Sequence, residues 1–569
     1  MAPMRGMAFF CGMIYHRRTG GCIRFWSLRG FIYRFEPADV IYYVPTWGGL
    51  PLRHDVLRPY GMANKIHYLM KRITWKKHHK WLGLGFAFFM LMFCLSGIVL
   101  NHRAFFAECD VDRGWLPSDY HFKQWNGGLL KGSLVWQTDS LNKEVLIYGN
   151  SGVWATTDGG RHFSDFNNGL PEGADFKSIK ALALAPDSSL WAANQFGLYC
   201  YDSLEQAWEA AGLTLQEEDK ISDMTFKGDT LLVVGRSYVY TSTDYHHFDV
   251  VQFKAPVGYD GKVSLFRTVW STHNGEMFGL FGKLLMDGVA VVLILLSLTG
   301  ILYWLLPKYI RRRKKSGKSV KSYAQGLKHT LNWHDNIGRY TFFVLLFVSF
   351  TGWCLRPPVL IALVSAKVPA IPGTIMDSEN PWRDQLRMLR YDAACGDWLL
   401  STSEGLYSLS SLTAAPVEIE KAPPISVMGL NVWQKDEEGN WLMGSFSGMF
   451  RWNRAKGIAT DYFTGEQTEA VDGPPFGKFA ASGYTSDFTK EPLVVEYNHG
   501  TDGLVMPEEF AYLPMSLWNL ALEVHTGRIY TILGPGTLIF IFFAGIIAMW
   551  CLYSGYVIRR KKFMSTKKA

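Results

Sequence analysis

The stretch EVHTGRIYTILGPG, residues 523–536, places a histidine in front of a long apolar run, and STHNGEMFGLFGKL, residues 271–284, does the same 252 residues earlier. Aligned on His525 and His273, both read H-[NT]-G-[ER]-[MI]-[FY], and a further glycine follows each histidine after nine residues. A second alignment gives almost the same offset. HHKWLGLGFAFFMLMFCLSGIVL, from residue 78, and HDNIGRYTFFVLLFVSFTGWCL, from residue 334, match on His79 and His334, 255 residues apart. Both read H-x-x-[LI]-G, and Ser96-Gly97 and Thr351-Gly352 come 17 residues later. Two independent offsets of nearly one period indicate a tandem duplication in which each half is span, outer segment, span.

The 569 residues are 48% hydrophobic and 15% aromatic, with a net charge of +8. The apolar residues concentrate in four segments, about 82–101, 284–306, 340–356 and 537–558, long enough to cross a bilayer once the third borrows from its flanks. Basic runs lie beside them: KRITWKKHHK before the first, KYIRRRKKSGK between the second and third, and RRKKFMSTKK at the end. Lys and Arg in short flanks favour the cytoplasm. The expected topology is therefore a four-span bundle in a bacterial inner membrane with both termini cytoplasmic. Its parts are a basic segment and span over 62–103, an outer segment over 104–272, a span over 273–306 and a basic loop over 307–333. A span over 334–356, an outer segment over 357–522, a span over 523–558 and a tail over 559–569 complete it. As flanks of spans, these basic runs imply no nucleic-acid partner.

Residues 1–61 are rich in Arg, aromatics and Cys without a sustained period, whereas Met62 opens a stretch that reads as a natural beginning. We expect an N-terminal extension there and assign it no function; no secretory signal pattern is visible. The cysteines are Cys11, Cys22, Cys94, Cys109, Cys200, Cys354, Cys395 and Cys551, and they form no C-x-x-C or C-x-x-C-H, so a thioredoxin-like site and c-type haem attachment are not indicated.

The outer segments repeat on a shorter scale. Gly152-Val153-Trp154, Gly197-Leu198-Tyr199 and Tyr238-Val239-Tyr240 in the first half, with Gly405-Leu406-Tyr407 and Gly448-Met449-Phe450 in the second, recur every 41–45 residues. That period of short strands and glycine turns suggests propeller blades. Thr156-x-Asp158-x-Gly160-x-x-Phe163 is similar to the Asp-box turn of sialidase-like propellers, where it closes a hairpin. Each half alone has too few blades, so the two segments are expected to associate into one all-β, propeller-like domain.

The topology sorts the histidines. His79 and His334 fall at inner ends of spans, and His102, His273 and His525 at outer ends. His79 and His102 are roughly 35 Å apart along a helix and cannot share a ligand. Duplication instead pairs His79 with His334 and His273 with His525. Buried ionisable groups in a membrane mark function, and a neutral imidazole is a strong ligand for haem iron. Two pairs in a helical bundle would make two six-coordinate sites. His102 has no counterpart in the second half and could replace an outer ligand or contact a propionate. Gly97 and Gly352 would allow close helix packing or approach of a flat ligand, and Gly275 and Gly527 would leave room for a haem edge. The alternative is that these histidines sit in the headgroup belt.

The HHKWLGL…LSGIVLNH span, the THNG and VHTG openings and the LTGILYW ending resemble the PepSY-associated transmembrane family, which includes inner-membrane reductases of ferric siderophores. The resemblance implies haem b between transmembrane helices, ligated at these histidines, and electron transfer across the membrane to periplasmic ferric iron held by a siderophore or by haem. The outer segments depart from it, since they read as blades rather than as a PepSY α/β pattern. No G-x-G-x-x-G follows a strand, SGKS at 316–319 lacks the upstream glycine of a P-loop, and no H-E-x-x-H occurs. The electron donor is then a quinol or a cytoplasmic reductase. A membrane-anchored propeller-type sensor and a haem or metal permease are the alternatives.

Overall fold

The computed structural model describes residues 72–138, 143–216, 219–468 and 477–566; the expected N-terminal extension lies outside them. The helices are α1 (Arg72–Asn101), α2 (Leu265–Asn274), α3 (Gly279–Lys315), α4 (Lys321–Tyr340), α5 (Phe342–Cys354), α6 (Val359–Val364), α7 (Leu517–Thr526) and α8 (Gly536–Thr566). Three helical segments are long and apolar enough to cross a bilayer: Thr74–Asn101, Glu276–Lys315 and Gly536–Ile558. Their large apolar side chains, among them Phe88, Leu284 and Phe543, point outward, as lipid-facing residues must.

The single span expected over 334–356 is instead two helices, α4 and α5, meeting at 67°. At the joint Thr341 Oγ1 donates to the Ile337 carbonyl at 2.7 Å, a back-bond that bends helices. The 13 residues of α5 reach only about 20 Å, short of a hydrocarbon core of about 30 Å.

The spans expected to begin at His273 and His525 are also divided. Each of these histidines is the penultimate residue of a separate ten-residue helix, α2 or α7. Both helices are bounded alike. Ser264 and Ser516 cap the N-termini, accepting from the backbone N–H of Arg267 and Asn519. Gly275 and Gly527 end them in the left-handed region at φ 82° and 78°. The chain then turns through a short 3-10 segment into α3 or α8.

Among the described residues, six antiparallel sheets in meander order lie between the helices, and two short pairings, Asp110–Val111 with Met515–Ser516 and Lys262–Ser264 with Lys367–Pro369, join the two outer segments beside them. The first strands of the six are Gly132–Thr138, Ile179–Leu184, Ile221–Lys227, Leu386–Asp392, Val432–Lys435 and Ala481–Thr485. The first five sheets have four strands and the sixth has two. Each of the five recurrent motifs read from the sequence, four with glycine first and one with Tyr238, lies at the start of the third strand of one of the first five sheets. Thr156 and Asp158 do close the turn to the next strand: Thr156 Oγ1 donates to Asp158 at 3.0 Å, and Asp158 accepts from the Arg161 and His162 amides. Ser242 and Asp244 repeat the device in the third sheet.

Apolar clusters join the sheets in succession. Leu146 and Leu182 belong to one cluster of the first and second sheets, and Trp191 and Met224 to one of the second and third. Leu232 meets Leu389 in the next cluster, Met388 joins Trp433, and Val432 joins Tyr484. The last cluster returns from Val495 in the sixth sheet to Ile147 in the first. Burial between neighbouring sheets, and not within any one of them, therefore holds the two outer segments together.

Candidate functional site: two histidine pairs

The ring centres of His79 and His334 are 6.0 Å apart, and those of His273 and His525 are 6.2 Å apart. The pairing read from the duplication is the pairing in space. His79 is on α1, His334 on α4, His273 on α2 and His525 on α7.

All four imidazoles are held in the same way. His79 Nδ1 lies 2.9 Å from the Cys551 carbonyl and 3.2 Å from Ser554 Oγ. His334 Nδ1 lies 2.9 Å from Thr299 Oγ1. His273 Nδ1 lies 3.2 Å from the Val348 carbonyl and 3.3 Å from Thr351 Oγ1. His525 Nδ1 lies 3.0 Å from the Phe93 carbonyl and 3.1 Å from Ser96 Oγ. A carbonyl can only accept. Each hydroxyl also donates to a carbonyl of its own helix, as Ser96 does to Met92 at 2.7 Å and Thr299 to Leu295 at 2.6 Å. Nδ1 must therefore carry the proton on all four rings, which leaves the Nε2 lone pair free for a ligand bond.

A glycine follows each of these hydroxyl residues and seats the same ring. A Cβ at Gly97 would lie 3.3 Å from His525 Cε1, and one at Gly352 would lie 2.6 Å from His273 Cε1. At Gly300 the distance to His334 Cε1 is 3.6 Å, and at Gly555 the distance to His79 Cε1 is 3.0 Å. The unit is thus a Ser/Thr-Gly dipeptide, used four times, that orients one imidazole and makes room for it. Ser96-Gly97 and Thr351-Gly352 were visible as a repeat, but with the glycines facing a flat ligand or a helix rather than a histidine. Thr299-Gly300 was seen only within LTGILYW, without a role, and Ser554-Gly555 was missed, although LSG, LTG, FTG and YSG sit in plain view in the four apolar runs.

Each cradle also comes from the opposite half of the chain. His79 and His273 of the first half are held by residues of α8 and α5, and His334 and His525 of the second half by residues of α3 and α1.

The arrangement fits a metal bound on both faces. With metal–imidazole bonds of about 2 Å, two rings flanking one ion have centres about 6 Å apart. Along α1, 14 residues separate His79 from Phe93, which holds His525. The two pairs are therefore offset by roughly 21 Å of helix.

Two expectations need correction. His102 does not join the outer pair: its Nε2 is 2.6 Å from Asp287 Oδ2 on α3, and Asn101 donates to the other oxygen of the same carboxylate at 3.3 Å. Asp287 is the lone carboxylate within that apolar run, and this signal could have flagged it. Gly275 and Gly527 do not leave space beside the rings. A Cβ at Gly275 would lie 2.1 Å from the Gly282 carbonyl oxygen, and one at Gly527 would lie 2.2 Å from Ile541 Cδ1. Their positive φ and these close approaches are demanded by the turn into the next helix.

Among solved structures, the chain is similar to the extracellular domain of BT4673 from B. thetaiotaomicron at 9% identity and TM-score 0.29, covering 67% of this chain and 39% of that one. It is also similar to the extracellular domain of BT3049 from the same organism at 10% identity and TM-score 0.30, covering 68% and 40%. An ancestral GH74 enzyme matches at 9% identity and TM-score 0.27, over 67% and 36%. The chain thus spans about two fifths of the length of these structures. No curated protein matches it. The PepSY-associated TM region matches residues 65–306 and 308–562, which include all four histidines and their cradles, and the chain therefore belongs to the PepSY-associated transmembrane family.

Proposed function

We propose that the protein is an inner-membrane di-haem b oxidoreductase that passes electrons across the bilayer to ferric iron in the periplasm. The observation that carries this reading is two histidine pairs with ring centres 6.0 and 6.2 Å apart, every ring held at Nδ1, offset by roughly 21 Å along α1. One haem would be held by His79 and His334, the other by His273 and His525. Haem iron supplies one-electron chemistry within a shell of fixed potential. The chain's own part is to keep each Nδ1 proton on a carbonyl or hydroxyl, which raises the basicity of the opposite nitrogen and fixes ring orientation. The glycines let the rings approach the helices closely enough for both imidazoles of a pair to face one metal.

In this reading the bent α4–α5 unit completes a fourth crossing. His79 and His334 then lie near the cytoplasmic face, where a quinol or a cytoplasmic reductase delivers electrons. His273 and His525, at the ends of two helices that continue from the sheets, lie near the periplasmic face. The six sheets, joined in a circuit by their clusters, form a propeller-like body over the outer pair, where a ferric siderophore or ferric haem is received. The test is an absorption spectrum of the purified protein in detergent with a pyridine-haemochrome assay. Two b-type haems per chain, reducible by quinol or dithionite, are expected. A colourless protein would sink the reading, and a single haem would remove the transmembrane relay.

A further inference from the structure

A cluster of cationic side chains runs between neighbouring sheets: Lys131 and Arg236 act on Lys180, and Arg236 and Arg267 act on Arg387. Lys180 and Arg387 are the second residues of the first strands of the second and fourth sheets. In both strands the register shifts at that residue, between Ile179 and Ala181 and between Leu386 and Met388. Such bulges re-aim a side chain out of the ladder. Lys131, just before the first strand of the first sheet, reaches across to the Lys180 carbonyl at 2.5 Å. Lys180 Nζ donates to Ser178 Oγ at 2.9 Å. Neither ammonium pairs with a carboxylate among the described residues. Arg387 spends Nη1 on the Asp384 and Leu386 carbonyls, and its Nε is buried without a partner.

The neighbouring charges do not cancel this excess. Arg236 and Arg267 share Asp384, at 3.1 and 3.5 Å. Arg103 is taken by Asp175, and Arg390 by Asp223. Burial pushes Lys131 down to about 8 and Lys180 down to about 7, and Lys131 adds to the depression of Lys180. Like charges gathered in one cluster repel, and a bound anion would offset that cost. The cluster reaches the helix of the outer pair: Arg267, which acts on Arg387, is on the helix that carries His273, six residues away, or roughly 9 Å along its axis.

We propose that Lys131, Lys180 and Arg387 form a binding site for a multiply charged oxyanion chelate, so that the ferric cargo is of the catecholate or polycarboxylate class and not an uncharged trihydroxamate. The identity of the cargo rests on the reductase reading, whereas the existence of an anion site does not. A free oligophosphate would satisfy the same side chains, and the test separates the two sources.

The experiment is calorimetric titration of the full-length protein in detergent with three probes: a ferric tris-catecholate of net charge −3, a neutral ferric trihydroxamate and inorganic pyrophosphate. The tris-catecholate should bind at least tenfold more tightly than the trihydroxamate, and the preference should shrink as salt is raised. Lys131→Gln combined with Lys180→Gln should weaken it tenfold or more with the haem spectrum unchanged. Lys131→Gln alone guards against a folding defect. Equal binding of the neutral chelate, or unaltered binding by both variants, overturns the site. Tight pyrophosphate with no tris-catecholate binding overturns the cargo assignment. If the protein holds no haem yet still binds the anions through these residues, the reductase reading fails and the site stands.

Discussion

The four glycine seats form a graded series, and Gly352→Ala is its most informative member. The new methyl would lie 2.6 Å from His273 Cε1 and 3.2 Å from each ring nitrogen, whereas ordinary contact begins at 3.4 Å. The imidazole would have to retreat by roughly 0.8 Å, beyond the tolerance of about 0.5 Å for a preorganised site. Overpacking costs about 1–3 kcal/mol, and replacing a helical glycine with alanine returns about 1 kcal/mol. The net loss of stability is therefore at most about 2 kcal/mol. The loss of ligand geometry is the larger effect. The other seats follow by distance: 3.0 Å at Gly555, 3.3 Å at Gly97 and 3.6 Å at Gly300. Pyridine-haemochrome ratios and reduced-minus-oxidised spectra of the four alanine variants should rank in that order. Gly352→Ala should lose the outer haem and keep the inner one. Gly300→Ala should load fully and unfold no sooner than the parent. Full loading of Gly352→Ala alongside loss from Gly300→Ala would refute the cradle argument, because the contacts would then run opposite to the damage.

His79→Ala and His525→Ala should each remove one haem, and a different one, read as loss of distinct components in a redox titration. Thr351→Val keeps shape and leaves the Val348 carbonyl on His273 Nδ1, so it should weaken outer haem retention by about tenfold rather than abolish it, measured by transfer to apomyoglobin. Gly275→Ala should destabilise the whole protein by several kcal/mol, seen as a lower melting temperature with or without haem, because its Cβ would strike the Gly282 carbonyl. The depressed Lys180 and Lys131 hold their protons below pH of about 7 and about 8 in the free protein. Anion affinity should then be full below about pH 6 and fall between about pH 6 and 9, with a bound anion moving the midpoint upward; calorimetry across that range checks the sign.

The pairing of the histidines was legible because duplication writes two nearly equal offsets into the sequence, and the topology puts His79 and His334 on one side and His273 and His525 on the other. The third strands of the sheets were legible for the same reason, since the repeated strand carries the same apolar–aromatic pair each time, preceded by glycine in four of the five. What was not legible depends on contacts between distant segments. Gly275 and Gly527 were read as space beside a ligand, yet each is a helix terminus, and only the path of α3 and α8 distinguishes the two. The kink between α4 and α5 falls where a polar, charged helix meets an apolar one, beside the Thr341 back-bond, and the short apolar run of 340–356 did not show it. The basic cluster gathers positions 131, 180 and 387, which no local window joins: a register shift falls at Lys180 and at Arg387, and Lys131 precedes its strand. His102 looked like a ligand until Asp287 was found opposite it.

Because every imidazole is clasped by the other repeat, a lone half would carry two histidines with no seats and two seats with no histidines. An ancestor encoding a single repeat could have assembled either site only by meeting a twin, each copy lending its seats to its neighbour across a twofold axis. Fusion of the copies replaced that encounter with a tether and freed the two halves to diverge. The present Asp287 and the bent α4–α5 unit, each confined to one half, are marks of that freedom.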